Sequence, residues 1–269
     1  MSASSRPPAV AGLFYPEQPP ELQKSLDRLL AAATPPKDGA RPKVLIVPHA
    51  GYVYSGPTAA VAYSRLVPFR DEIRRIVLLG PAHRVRVRGL AAPTAATFAT
   101  PLGEIGLDRE ALDNVRNLAQ VVANDIAHAE EHSLEVQLPF LQITLGDFSL
   151  VPLVVGEASR DEIAQVLARL WGGNETLILI SSDLSHYLPY PDACARDEFT
   201  AETILRLLPE LKHEQACGAT PVNGMLQAAK QRGLRAQLLD LRNSGDTAGD
   251  KARVVGYGAF AFYESQGAH

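Results

Sequence analysis

Four apolar runs in this chain finish on side chains that bind metals or move protons. VLIVPHAGY ends at His49, and IVLLGPAHRV ends at His83. LILISSDLSHY ends at Asp183 and His186, and LLDLRNSGDTAGD at Asn243, Ser244 and Asp246. Two imidazoles and one carboxylate on separate turns form the donor set of a non-haem Fe(II) centre, with coordination positions left open. On that reading His49, His83 and Asp246 are the metal ligands. Asp183 orients His186, and His186 acts as acid or base beside the metal, because imidazole titrates near neutral pH. Fe(II) is the expected ion, with copper or zinc ranked behind it. Structural zinc sites use four closely spaced ligands, a spacing this sequence lacks.

A fifth stretch, Glu130-Glu131-His132-Ser133-Leu134-Glu135, carries a different signature. Ser133 suits a helix cap, and His132 then sits at a helix N-terminus, where the dipole favours neutral imidazole. His132 is the third candidate catalytic group. Tyr52 and Tyr54, close behind His49, and Ser244 are candidate substrate contacts. Plainer readings stand beside these. Ser182-Asp183 suits a helix cap, Asn243 to Asp246 a simple turn, and Glu135 a first-turn acid. His128 and His213 read as surface residues. Cys194 and Cys217 read as buried small hydrophobes, since no histidine neighbours either along the chain.

Bringing these groups together requires rigid elements. Val/Ile/Leu-rich runs at 44–47, 76–79, 150–155, 177–180, 236–241 and 254–262 predict buried strands. Helical periodicity predicts helices over 21–32, 58–66, 109–118, 133–143, 160–171, 192–208 and 221–232, and 33–39 reads as a loop. Apolar runs that do not alternate mean strands covered on both faces. The expectation is one α/β domain spanning 1–269, with a central, mostly parallel (mixed) sheet flanked by helices. The run over 254–262 is an antiparallel addition. In such folds the ligand crevice lies outside the carboxyl ends of the strands, where the polar turns fall.

Composition narrows the partners. The chain has 269 residues, 46% hydrophobic and 21% charged, with a formal net charge of −4. Arginines between 70 and 88 are diluted by Asp71 and Glu72, so no nucleic acid is expected as partner. Two cysteines exclude a disulfide framework. No apolar run approaches the roughly 20 residues that span a bilayer, so a cytoplasmic protein with no membrane partner is expected. CxxC, HExxH, P-loop, GxGxxG and GxSxG motifs are absent, which disfavours dinucleotide binding and ordinary α/β-hydrolase chemistry.

The combination VPHAGYVYSG, GPAH, EHSLEVQLPFL and SSDLSHY closely resembles the Memo family, known in prokaryotes as AmmeMemoRadiSam system protein B. RPPAVAGLFYP looks like that family's opening and NSGDTAGDKARVVGYGAFAF like its ending, so the resemblance covers nearly the whole chain. It implies a fold similar to the catalytic subunit of class III extradiol dioxygenases, with a cleft holding His49, His83, His132, Asp183 and His186. By that resemblance His49 and His83 match metal-binding histidines, and His186 the acid/base histidine. Eukaryotic members are linked to cell motility and receptor-tyrosine-kinase signalling, with iron or copper binding. Prokaryotic members tend to be encoded near a radical-SAM protein and an AMMECR-type protein. Eukaryotic members also place a metal-site cysteine that is expected in the loop before the last strand, where this chain has Asp246 or Thr247. Asp246 then replaces a thiolate with a harder oxygen.

Three functions remain in view, and the residues leave open whether the protein is an enzyme. The first is a metal-dependent oxidoreductase, dioxygenase-like, acting on an unknown small molecule. The second is a non-enzymatic protein that binds a peptide or other ligand in the same cleft. The third is a partner of a radical-SAM modification system.

Overall fold

Apolar side chains on both faces of a strand require cover on both sides, and the strands that carry the site meet that condition. The computed structural model describes residues 4–33 and 39–264; nearly all of the loop expected over 33–39 lies outside them. In chain order the first half runs β1 (Ser5–Arg6), α1 (Pro19–Ala32), β2 (Val44–Val47), α2 (Tyr52–Ser64), β3 (Arg75–Pro81), β4 (Leu90–Ala92), β5 (Thr97–Thr100), β6 (Gly103–Gly106), α3 (Arg109–Arg116), β7 (Val121–Ala123) and α4 (Ile126–Ala129). The second half runs α5 (His132–Glu135), α6 (Leu138–Thr144), β8 (Ser149–Val155), α7 (Arg160–Leu170), β9 (Thr176–Ser181), β10 (His186–Leu188), α8 (Tyr190–Leu205), α9 (Ala219–Gln231), β11 (Arg235–Asn243) and β12 (Val254–Tyr263).

The central sheet is mixed. Strands β2, β9, β3 and β8 lie side by side and parallel, with Val44 opposite Ile178 and Ile76 opposite both Leu177 and Leu150. Every residue of β2 and β9 is buried. Strand β12 runs antiparallel between β2 and β11, as expected for an antiparallel addition. On the far side β4 pairs antiparallel with β8 and parallel with β7. Strands β1, β5 and β6 form a separate small sheet.

Helices cover this sheet. Helix α7 begins at a reciprocal cap, in which Ser159 and Glu162 satisfy each other's backbone N–H groups. It packs on α9, which lies against β3 and β9. Helix α2 packs on β2, β11 and β12 and on α1 and α6.

Two elements depart from the sequence reading. Helix α2 starts at Tyr52, not near Pro57, which lies inside it. The N–H that Pro57 lacks would have bonded the carbonyl of Val53, a residue 65% exposed, so water can serve that carbonyl instead. The helix expected over 133–143 is broken into α5 and α6, with Pro139 in the first turn of the second. Strands β1, β4 to β7 and β10 have only two to four residues each, too few to show a period.

Candidate metal centre

The order β2, β9, β3 decides which strand tips meet. Parallel neighbours sit about 4.8 Å apart, so His49 and His83 flank the tip of β9 at one edge of the sheet. Their ring centroids are 5.3 Å apart. Strand β11 also points its carboxyl end this way, but β12 separates it from β2. That puts the Asn243 turn roughly two strand spacings, about 10 Å, from β2.

Each histidine is held by its Nδ1, which leaves Nε2 free. Ser181 Oγ donates to the Ser133 carbonyl at 2.5 Å, so it accepts from His49 Nδ1 at 2.9 Å. Gln137 Nε2 donates to the same Ser181 oxygen at 2.7 Å. The His49 N–H donates to Asp183 Oδ1 at 2.7 Å. His83 uses both its backbone N–H and its Nδ1 on one carboxylate, Glu131, at 2.6 and 2.9 Å. Burial alone would raise the Glu131 pKa, but His83 and the Ser133 N–H outweigh it and hold the group at about 2. A carboxylate behind a histidine in this way fixes its tautomer and orientation.

Cys217, one residue before the Gly218 cap of α9, completes the group. Its Sγ lies 3.4 Å from His49 Nε2. One donor atom from each of His49, His83 and Cys217 falls within 4.8 Å of the others. Burial, with Asp183 adding to it, pushes the thiol up to about 12. Burial also holds the His49 pKa well below the usual imidazole range, helped by His83, His132 and His186. His49 therefore stands ready with a lone pair, and a metal would have to displace the thiol proton.

The remaining groups line one cleft of about 470 Å³ with these three: His132, Asp183 and His186. His132 stacks on His83 with centroids 4.7 Å apart, and burial lowers its pKa to about 4. Its buried Nδ1 is 3.5 Å from Glu131 Oε1 but makes no hydrogen bond. Asp183 is buried, and that burial raises its pKa to about 6 against the pull of the His49 N–H and of His186 and His83. His186 donates Nδ1 to the Leu184 carbonyl at 2.9 Å. The orienting partner expected in Asp183 is therefore a backbone carbonyl, while Asp183 anchors the His49 turn.

Other expectations are corrected as well. Asp246 is not in the ligand group: its carboxylate accepts from Tyr190 Oη at 2.6 Å and from the Asn243 N–H at 2.9 Å, closing the turn. Ser244 is bound up in the same turn, its Oγ accepting from the Val255 N–H at 3.1 Å. Tyr52 is a core residue that donates to the Val136 carbonyl at 2.8 Å, and neither it nor the half-exposed Tyr54 lines the cleft. Cys217 is a site residue. Its position just ahead of a helix, followed by glycine, was the available signal, because helix N-termini favour thiolates. Of the two histidines read as surface residues, His128 is buried against the Ala91 carbonyl, whereas His213 is exposed, as read, and lies at the cleft.

A histidine-rich cleft at the tips of parallel strands, closed by a cysteine at a helix start, defines an α/β protein with a candidate metal centre. Residues 6–261 match the family model described as Memo-like protein. A MEMO1 family protein of Aquifex aeolicus is 37% identical, over 94% of this chain and 97% of that one. One from Ignicoccus hospitalis is 38% identical, over 96% and 98%. The chain belongs to the Memo family. Its fold is also that of the crystal structure of uncharacterized protein JW3007 from Escherichia coli K12, with a TM-score of 0.54 at 16% identity, covering 81% of this chain and 99% of that one. No helix among the described residues is long and apolar enough to cross a membrane.

Proposed function

We propose that His49 Nε2, His83 Nε2 and Cys217 Sγ hold a redox metal, and that the cleft they line is the reaction site of a metal-dependent oxidoreductase. The observation that carries this is the His49–Cys217 separation of 3.4 Å between two atoms free of other strong partners. Nitrogen and sulfur ligands at their usual distances from one tetrahedral ion lie about 3.6 Å apart. Two imidazoles and a soft thiolate suit Fe(II), copper and zinc, and the thiolate weakens the preference for iron that an Asp246 ligand carried. The bound ion would supply Lewis acidity and, if iron or copper, one-electron chemistry.

The chain's own residues do the rest. Glu131 and Ser181 orient the two histidines. His186, held through Nδ1 by the Leu184 carbonyl, and Asp183, whose pKa burial raises, are the cleft groups placed to move a proton. A larger groove of about 1220 Å³ continues from the cleft past His83 and Cys217 and gives a ligand room to extend beyond the metal. Likeness to extradiol dioxygenases and a role beside a radical-SAM protein rest on family resemblance alone, since a shared fold does not carry chemistry.

Anaerobic titration with Fe(II), Cu(I) and Zn(II) tests the reading. One tight equivalent is expected in the parent. It should be lost in the His49→Ala/His83→Ala double variant and in Cys217→Ala, and retained in Asp246→Ala. Unchanged binding in Cys217→Ala would overturn the assignment.

A further inference from the structure

Strand β10 carries an irregularity directly beside His186. His186 pairs with Val255 and Leu188 with Val254, so Tyr187 is the extra residue of a bulge. Its φ is 58°, in the left-handed region. Glycine occupies that region without strain, whereas any Cβ crowds the carbonyl that follows. Among the described residues only Tyr187 and Leu207 do so without being glycine.

Folding gains little from the ring. Tyr187 is 63% exposed. Arg253 backs the ring with its guanidinium carbon 5.0 Å from the centroid, a contact of small worth in water. The ring meets His186 edge-on at 5.8 Å and lines the same cleft as His49, His83 and Cys217. Bulges beside functional sites re-aim side chains. Here the bulge places an aromatic face, braced from behind by a cation, at the wall of the cleft, at the expense of backbone strain.

We propose that Tyr187 is a specificity-determining residue: its ring is the wall against which a flat, unsaturated group of a metal-held ligand lies. The proposal rests on the metal reading above and adds to it a preference in the ligand. Stacking of this kind is worth about a 3- to 10-fold preference for a ring over a methyl group.

The test uses the full chain loaded with Co(II), whose thiolate absorption reports occupancy, and two chelating probes that differ only in the flat group. The parent should bind benzohydroxamate about 3- to 10-fold more tightly than acetohydroxamate. Tyr187→Phe should keep that ratio. Tyr187→Ala and Tyr187→Gly should bring it close to one while leaving Co(II) affinity and acetohydroxamate affinity as they were. Without metal, Tyr187→Gly should melt about 2–4 °C above Tyr187→Ala, since only glycine relieves the strain, and within about 2 °C of the parent. A ratio retained in Tyr187→Gly overturns the proposal. So does a Tyr187→Gly chain that fails to fold or melts far below the parent, which would make the ring a packing residue. A parent that binds no Co(II) overturns the metal reading and this proposal with it. Co(II) binding that is equal in all variants, with an unaltered ratio, sinks only the role of Tyr187.

Discussion

Glu131 is the group whose replacement tests the construction of the site most directly. It is almost fully buried and accepts the His83 N–H, the His83 Nδ1–H and the Ser133 N–H. Glu131→Gln keeps the size and shape but removes the charge and turns one oxygen into a donor. The oxygen that remains suits the side shared by His83 Nδ1 and Ser133, so the new NH₂ is set against the His83 backbone N–H. The parent carboxyl titrates near 2 instead of 4.5. At 1.36 kcal/mol per pKa unit, that difference corresponds to about 3 kcal/mol of stability. Because the folded pKa is depressed, this contribution is fully present above pH 4.5 and fades as pH falls toward 2. Chemical denaturation should therefore show Glu131→Gln less stable by about 3 kcal/mol at pH 7, with the gap closing by more than half at pH 3. Metal affinity should fall about 10- to 100-fold, the usual effect of losing a carboxylate behind a ligating histidine. A variant within about 0.5 kcal/mol of the parent at pH 7, well below the loss of one buried hydrogen bond, would refute the reasoning.

Other outcomes follow from the same geometry. Glu135→Ala should cost about 3–5 kcal/mol in denaturant melts, because it strands the buried Arg6 that pairs with it and empties the acceptor of Ala9, Val10 and Tyr15. Gly156→Ala should lower stability by about 1–3 kcal/mol or more, since its new methyl would overlap the Val87 carbonyl oxygen; a neutral result in thermal melts would contradict the close crossing there. Burial depresses the His128 pKa from 6.5 to about 4, so the unfolded chain takes up a proton first and stability falls as pH drops from 6.5 toward 4, by up to about 3 kcal/mol. His128→Gln can keep a donor to the Ala91 carbonyl and should flatten that stretch of the stability–pH curve; an unchanged slope would mean His128 does not titrate there.

What could be read from the residues alone follows strand order. His49, His83 and Asp183 were legible because their apolar runs form adjacent strands whose tips meet. Asp246 carried the same local signature and failed because one antiparallel strand, β12, intervenes; a one-dimensional pattern does not encode lateral order. Cys217 was missed for the opposite reason. It stands 168 positions from the histidine it faces, on a helix start with no strand run to announce it. Glu131, between Glu130 and His132, drew no role from the sequence, because only its burial against His83 makes it the orienting acid. Short edge strands such as β4 and β7 left no period to detect, whereas long buried runs such as β9 were found to within a residue.

Arg6 has a wider consequence. Its guanidinium hydrogen-bonds the carbonyls of His128 and Glu131 as well as pairing with Glu135. The loop that presents Glu131 and His132 to the cleft thus hangs from a peg near the amino terminus. A substitution at position 6, which is not among the residues lining the cleft, should therefore behave in screens as though it had struck the cleft itself. Positional distance from a candidate ligand is then a poor filter when choosing which variants of this chain to assay.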